Sequence, residues 1–226
     1  MLASRKDERT KLVLSTLSTI PLMTTEQVGR LMFPEAGSPL KRASQLLRGL
    51  EEDKIVEGRR LGDMRKIWRL TRRGRAEAQT DKTAVPLNSP KIAHWLTIGD
   101  AYLQLQQTGM LRHLECELRI PYHYAGREYL FAPDCFLIWN RRAYLLEVQL
   151  SRLSREQWAK KWRRWNDYFG GNHYLQAPWQ RFKQGGGVIP QPIILTEQSP
   201  ELVLHGYAVV GRKPVVVSRI DGAIDH

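Results

Sequence analysis

Ala132-Pro-Asp-Cys-Phe-Leu-Ile-Trp-Asn-Arg-Arg-Ala-Tyr-Leu-Leu-Glu-Val-Gln-Leu150 is the stretch on which the reading of this chain turns. Two apolar runs, one closing at Trp139 and one opening at Ala143, flank Asn140-Arg141. Asn tolerates the left-handed backbone that a two-residue hairpin loop demands, so the stretch predicts a β-hairpin. That loop sets Asp134 directly opposite Glu147, and Gln149, two residues on, projects to the same face. Opposed side chains have Cβ atoms about 4.5–5.5 Å apart, so the two carboxylates repel by roughly 3 kcal/mol at an effective dielectric of about 20. Something must offset this: a bridging divalent cation, a basic neighbour, or a retained proton. A slip of the loop to Arg141-Arg142 sets Asp134 opposite Gln149 and Glu147 one step diagonal, and the cluster survives either register.

The pattern continues on both sides. Ser154 and Gln157 stand in capping-box register with Leu153 and Trp158 as the staple, which predicts a helix start. Trp158, Trp162, Trp165 and Phe169 then recur at spacings of four, three and four, an apolar face suited to packing on a sheet, and Gly170-Gly171-Asn172 ends the helix. Lys160, Lys161, Arg163 and Arg164 lie away from that stripe. Either Lys160 or Lys161 is placed to bring positive charge to the carboxylates, and Arg163 and Arg164 are suited to phosphates. Ile193-Ile-Leu-Thr196 reads as the next strand. Leu202–Val210 and Pro214–Ile220 read as further strands or a short helix and strand. Gly185-Gly-Gly187 reads as a flexible loop, without the Lys-Ser/Thr of a phosphate-binding loop.

Upstream, Ile92–Gln107 has a helical pattern that stops at Gly109. Leu114, Cys116, Leu118 and Ile120 alternate with Glu115, Glu117 and Arg119 as a half-buried strand. With a turn at Ala125-Gly126, a strand over Glu128–Trp139 and another over Arg142–Leu150, residues 91–226 read as helix, three-stranded meander, helix, strand. Residues 81–90 hold two prolines and no periodicity, and read as a linker.

Residues 1–80 read as a separate domain. A helix over Ser4–Ser18 stops before Pro21. A second is capped at Thr24 or Thr25 with Gln27 in capping-box register, and ends at Phe33 before Pro34. A third follows Pro39, with Leu40, Ala43, Leu46, Leu47 and Leu50 inward and Lys41, Arg42, Ser44, Gln45 and Arg48 outward. Lys54–Arg60 and Lys66–Thr71 then form two strands around Leu61-Gly62-Asp63.

Over 226 residues, 35 Lys and Arg against 23 Asp and Glu give a net charge of +12, which favours a polyanionic partner. Residues 150–183 concentrate that excess, with eight basic side chains against Glu156 and Asp167. No apolar run approaches the ~20 residues that span a bilayer, and no leader pattern opens the chain, so a cytoplasmic protein is expected. Cys116 and Cys135 have no metal-type spacing and are expected to be buried thiols. The six histidines are scattered without ligand spacing, and no Gly-x-Ser-x-Gly elbow appears.

Three helices, a basic hairpin and a closing Leu70-Thr-Arg-Arg-Gly74 resemble the winged helix-turn-helix fold over roughly Asp7–Gln79. The resemblance implies a recognition helix over Pro39–Asp53, with Lys41, Arg42, Gln45 and Arg48 toward base edges and phosphates of double-stranded DNA. It places Arg59, Arg60, Arg65 and Lys66 on a wing near phosphates. The same fold also serves as a protein-interaction or dimerisation module. Pro133-Asp134 with Glu147-Val148-Gln149, between a leading and a following helix, resembles the PD-(D/E)XK nuclease superfamily. This implies Asp134 and Glu147 as ligands of Mg²⁺, with Mn²⁺ as substitute, and a catalytic role at position 149, where Gln149 stands in place of the usual Lys. Glutamine orients a water by hydrogen bonding but brings no charge.

The whole α+β arrangement, a winged helix-turn-helix followed by a PD-(D/E)XK-like α/β domain, resembles the replication-relaxation family of bacterial mobile elements. That implies action with plasmid or conjugative-element DNA and with relaxase or replication proteins. Three readings stand at this point: a Mg²⁺-dependent DNA endonuclease, an inactive accessory module that binds DNA or a relaxase, and a transcriptional regulator acting as a homodimer.

Overall fold

Thr24, Thr71 and Ser154 cap three of the helices through their side chains, and the structure, a computed structural model, describes residues 2–183, 187–207 and 215–218. It is a mixed α and β chain that divides into two units, Met1–Gln107 and Thr108–His226.

In the first unit the elements are α1 (Leu2–Thr19), β1 (Met23–Thr24), α2 (Thr25–Met32), α3 (Pro39–Glu52), β2 (Val56–Arg60), β3 (Lys66–Leu70), α4 (Arg72–Glu77) and α5 (Ile92–Gln107). The three strands form a sheet of order β1-β3-β2. Thr24 caps α2 through the reciprocal box with Gln27, as its spacing predicts. The Gln27 amide nitrogen then reaches Leu96 O at 2.8 Å and Asp100 Oδ1 at 2.9 Å on α5. Through that buried glutamine α5 groups with the first unit, so the division falls after Gln107 and not in the proline-containing stretch 81–90.

Gly74 explains the close of the Leu-Thr-x-x-Gly motif. A Cβ there would lie 2.0 Å from Ile55 O, so only glycine lets α4 approach β2's lead-in this closely. One inward assignment is corrected. Leu40 is exposed, because it sits in the first turn of α3 on the side shared by Ser44 and Arg48, while Ala43, Leu47 and Leu50 carry the buried face.

The second unit contains β4 (Leu111–Cys116), β5 (Ile120–Tyr124), β6 (Arg127–Phe131), β7 (Cys135–Trp139), β8 (Arg142–Gln149), α6 (Arg155–Gly170), two 3₁₀ turns (His173–Gln176 and Pro178–Phe182), β9 (Gln191–Thr196), α7 (Pro200–Val203) and β10 (Val215–Ser218). The main sheet has the order β10-β9-β8-β7-β4. β4, β7 and β8 are antiparallel, whereas β9 is parallel to β8 and β10 to β9. Asn140 and Arg141 both have positive φ and close a two-residue loop with Trp139 paired to Arg142, the first of the two registers considered above.

The meander is interrupted, which corrects the reading of its strands. The first ends at Cys116, Glu117 turns to φ 63°, and the second does not run from Glu128 to Trp139. Instead β5 and β6 form a two-stranded sheet of their own about the Ala125-Gly126 turn. Leu118, Ile120, Tyr122 and Phe131 turn into the core beneath the aromatic face of α6, where Trp158 and Trp162 are wholly buried. Alternation persists through such a break because the departing strands still bury every second residue. Residues 208–214 and 219–220, read from sequence as parts of terminal strands, and Gly185-Gly186 lie outside the described residues. No helix among the described residues is long and apolar enough to cross a membrane.

Candidate functional site

Strands β7 and β8 bury Phe136 and Leu145 against α6, so the residues that share their side of the sheet, Asp134, Glu147 and Gln149, face the same helix. Two backbone contacts hold Asp134 just ahead of β7. Its carbonyl accepts the Glu117 N–H at 3.0 Å, and its carboxylate accepts the Val148 N–H at 2.7 Å. Asp134 thereby ties the end of β4 and the end of β8 together.

A basic partner for Glu147 comes from α6. Lys161 Nζ lies 2.9 Å from Glu147 Oε2, with side chains only 22% and 11% exposed, and 3.4 Å from Gln149 Oε1. It also lies over the Trp158 ring, 5.5 Å from the centroid, a favourable placement for a cation. Of the two lysines considered from sequence, Lys161 is the one brought to the carboxylates. Lys160 points outward, as do Arg163 and Arg164.

Gln149 is held by Ser151. Its amide nitrogen donates to Ser151 O at 3.0 Å and Ser151 Oγ at 2.7 Å, which turns the amide oxygen toward Lys161. It positions the ammonium.

Asp134 and Glu147 supply two carboxylates from neighbouring strands. Mg²⁺ takes one or two carboxylates from a protein and completes its shell with water and substrate phosphate. Among the described residues no group of three or more His, Cys, Asp or Glu is gathered. The pair therefore fits a Mg²⁺ ion of that kind and not a closed four-ligand site. Such an ion and Lys161 compete for Glu147.

In the first unit, Lys41, Arg42, Gln45 and Arg48 all lie on the exposed side of α3. A cleft of about 660 Å³ beside them is lined by Leu40, Ser44, Arg48, Arg60, Met64 and Trp68, among others. The cations of the β2–β3 hairpin are less available than their sequence implies. Lys66 is bound to Glu51 at 2.9 Å and lies 3.9 Å from the centroid of the Trp68 ring. Arg65 grips Asp63 at 2.6 Å, and its hydrogen bonds hold the Asp63 carboxyl below its ordinary value. Arg59 donates to Leu87 O at 3.2 Å, while Arg60 is exposed.

Sequence reasoning missed Gln198. Its Oε1 accepts from Leu153 N at 2.9 Å and Trp158 Nε1 at 3.2 Å, and its amide donates to Leu153 O at 2.8 Å. This buried glutamine anchors the start of α6 to the chain leaving β9, and so sets where Lys161 falls. Ser151, which aims Gln149, was missed as well. Cys116 and Cys135 are paired across β4 and β7, buried, with sulfurs 2.7 Å apart.

Against known proteins, a family model described as replication-relaxation matches residues 14–182. No curated protein matches the chain. Among solved structures, the crystal structure of protein VC1899 from Vibrio cholerae is similar over 86% of this chain and 48% of that one, at 9% identity and a TM-score of 0.34. This chain thus spans about half the length of that protein. Matched from within α1 to the end of the second 3₁₀ turn, the chain belongs to the replication-relaxation family.

Proposed function

We propose that the chain is a DNA-binding protein of plasmid or mobile-element replication or mobilisation, in which a winged helix-turn-helix docks on duplex DNA and a PD-(D/E)XK-like unit hydrolyses a phosphodiester. The family suggests the replication or mobilisation role. The element order supports the nuclease-like reading: helix, antiparallel β4-β7-β8, helix α6, then β9 parallel to β8. The observation that carries it is Lys161, whose ammonium lies against Glu147 and Gln149 and would supply the charge that Gln149 lacks.

In this mechanism Asp134 and Glu147 hold Mg²⁺, which supplies Lewis-acid neutralisation of phosphate charge when bound. Asp134 keeps its place through the Val148 N–H. Lys161, near Gln149 Oε1 as well as Glu147, would donate hydrogen bonds to the phosphoryl oxygens as negative charge develops there. Exposed Lys160, Arg163 and Arg164 neutralise flanking phosphates. The family suggests relaxase or replication proteins as partners, and the role places the chain in the cytoplasm.

The test is cleavage of supercoiled and single-stranded circular DNA with Mg²⁺, Mn²⁺ or EDTA, beside Glu147→Gln to exclude a contaminating nuclease. Nicking that disappears both in EDTA and in the variant is expected. Protein that shifts DNA in the same buffers without cutting it overturns the catalytic role and leaves the accessory binding role.

A further inference from the structure

The β5–β6 hairpin stands outside the main sheet, and its register sets Tyr122 opposite Tyr129 and Tyr124 opposite Arg127. All four therefore project to one face. The inner end of that face is core. Phe131 stacks on Tyr168 with centroids 4.0 Å apart and planes 5° from parallel, and Tyr122 meets Tyr168 edge-on at 5.2 Å. The outer end is not: Tyr124 is 41% and Tyr129 38% exposed, and Tyr122 and Tyr129 stack at 5.6 Å and 27°. His173, from the turn after α6, brings its ring to 4.9 Å from Tyr122 and 6.3 Å from Tyr124. Beside them a cleft of about 520 Å³ is walled by Arg119, Pro121, Tyr122, His123, His173 and Gln176, among others. That is the volume of a small-ligand site.

The charge around these rings suits an anion. Arg119, His123 and Arg127 are exposed on or next to the hairpin. Arg164 lies close enough to Tyr122 to oppose the upward push on its phenol from burial and from Asp167. Glu128, cross-strand from His123, Asp167 beside Tyr122 and exposed Glu117 are acids of this neighbourhood, set against the guanidinium groups of Arg119, Arg127 and Arg164. Lys161, Arg164 and Tyr168 follow one another along α6. From Lys161 to Tyr168 the helix rises roughly 10 Å, the rise of about three stacked nucleotides.

We propose that the β5–β6 hairpin and the turn at His173 form a base-stacking platform for single-stranded DNA, which holds the bases that flank the phosphodiester presented to Lys161 and Glu147. This rests on the reading of the chain as a DNA-processing protein and names the form of DNA its second unit takes. Base faces are open to aromatic side chains only when unpaired, and a cationic track beside stacking rings is how single strands are held. A duplex offers the hairpin phosphates but no faces to stack on.

The experiment measures fluorescence anisotropy of a labelled oligothymidylate and of a labelled blunt duplex on the full chain in EDTA, so that cutting does not intervene. Tyr124→Ala/Tyr129→Ala is expected to weaken single-strand binding about tenfold to a hundredfold and leave duplex affinity unchanged. Tyr124→Phe/Tyr129→Phe, which keeps the rings, is expected to bind the single strand like the unsubstituted chain, and doing so excludes a role for the hydroxyls. Single-strand affinity unaltered in the alanine pair, or lost in equal measure with duplex affinity, overturns the platform. The two readings fail separately: absence of metal-dependent cutting with the tyrosine effect intact removes catalysis and keeps the platform.

Discussion

Lys161→Met removes the ammonium and keeps most of the stem that lies along Trp158. The partner left behind, Glu147, is 11% exposed. Removing one member of a buried ion pair leaves an uncompensated charge, a loss of about 3–5 kcal/mol. Lys161 is itself 22% exposed, so water replaces it in part, and about 3 kcal/mol is expected.

Urea unfolding followed by tryptophan fluorescence reports it, since Trp158 and Trp162 are wholly buried beside the pair. Glu147→Gln/Lys161→Met, which removes both charges of the pair, regains most of the loss. A single variant that loses less than about 1 kcal/mol at neutral pH, the worth of an ordinary surface pair, refutes the reasoning. So does a double variant no more stable than the single.

Other consequences follow from particular contacts. Gly74→Ala forces a Cβ to within 2.0 Å of Ile55 O and is expected to destabilise the first unit by about 2–3 kcal/mol, read as a lowered midpoint in thermal unfolding. Arg42→Ala and Arg48→Ala, on the exposed side of α3, each weaken duplex binding and reduce its slope against log salt by about 1, whereas Arg65→Ala, already held by Asp63, changes the slope less. The Cys116 and Cys135 thiols, both buried, resist a thiol reagent in the folded chain and react after denaturation, which absorbance of the released product measures.

Local signals in this chain were legible. Asn140 marks the hairpin turn because Asn tolerates positive φ, although the residues leave the loop open between Asn140-Arg141 and Arg141-Arg142, and Ser154 with Gln157, like Thr24 with Gln27, names a helix start through two short-range hydrogen bonds. The aromatic stripe was legible as a buried face. It did not separate the two lysines, however: both read as lying away from the stripe, whereas the structure brings Lys161 over the Trp158 ring and against Glu147 and leaves Lys160 exposed.

Contacts between distant residues were not legible. Nothing near Lys66 announces Glu51, nothing near Gln27 announces Leu96, and Gln198 has no periodicity to mark it as the anchor of α6. The departure of β5–β6 from the sheet was hidden because Ile120, Tyr122 and Phe131 keep an alternating pattern while packing on a different element. The hairpin tyrosines are not singled out by the sequence, because which of them remain exposed depends on where α6 and His173 end up.

The central claim is that an ammonium from α6 serves the site in place of the lysine absent at position 149. Nicking of supercoiled DNA with Mg²⁺ by Lys161→Ala and by Gln149→Lys/Lys161→Ala tests it most directly. The account predicts that the single variant loses about a hundredfold or more in rate and that returning the ammonium to position 149 restores cutting. Undiminished nicking by Lys161→Ala contradicts it.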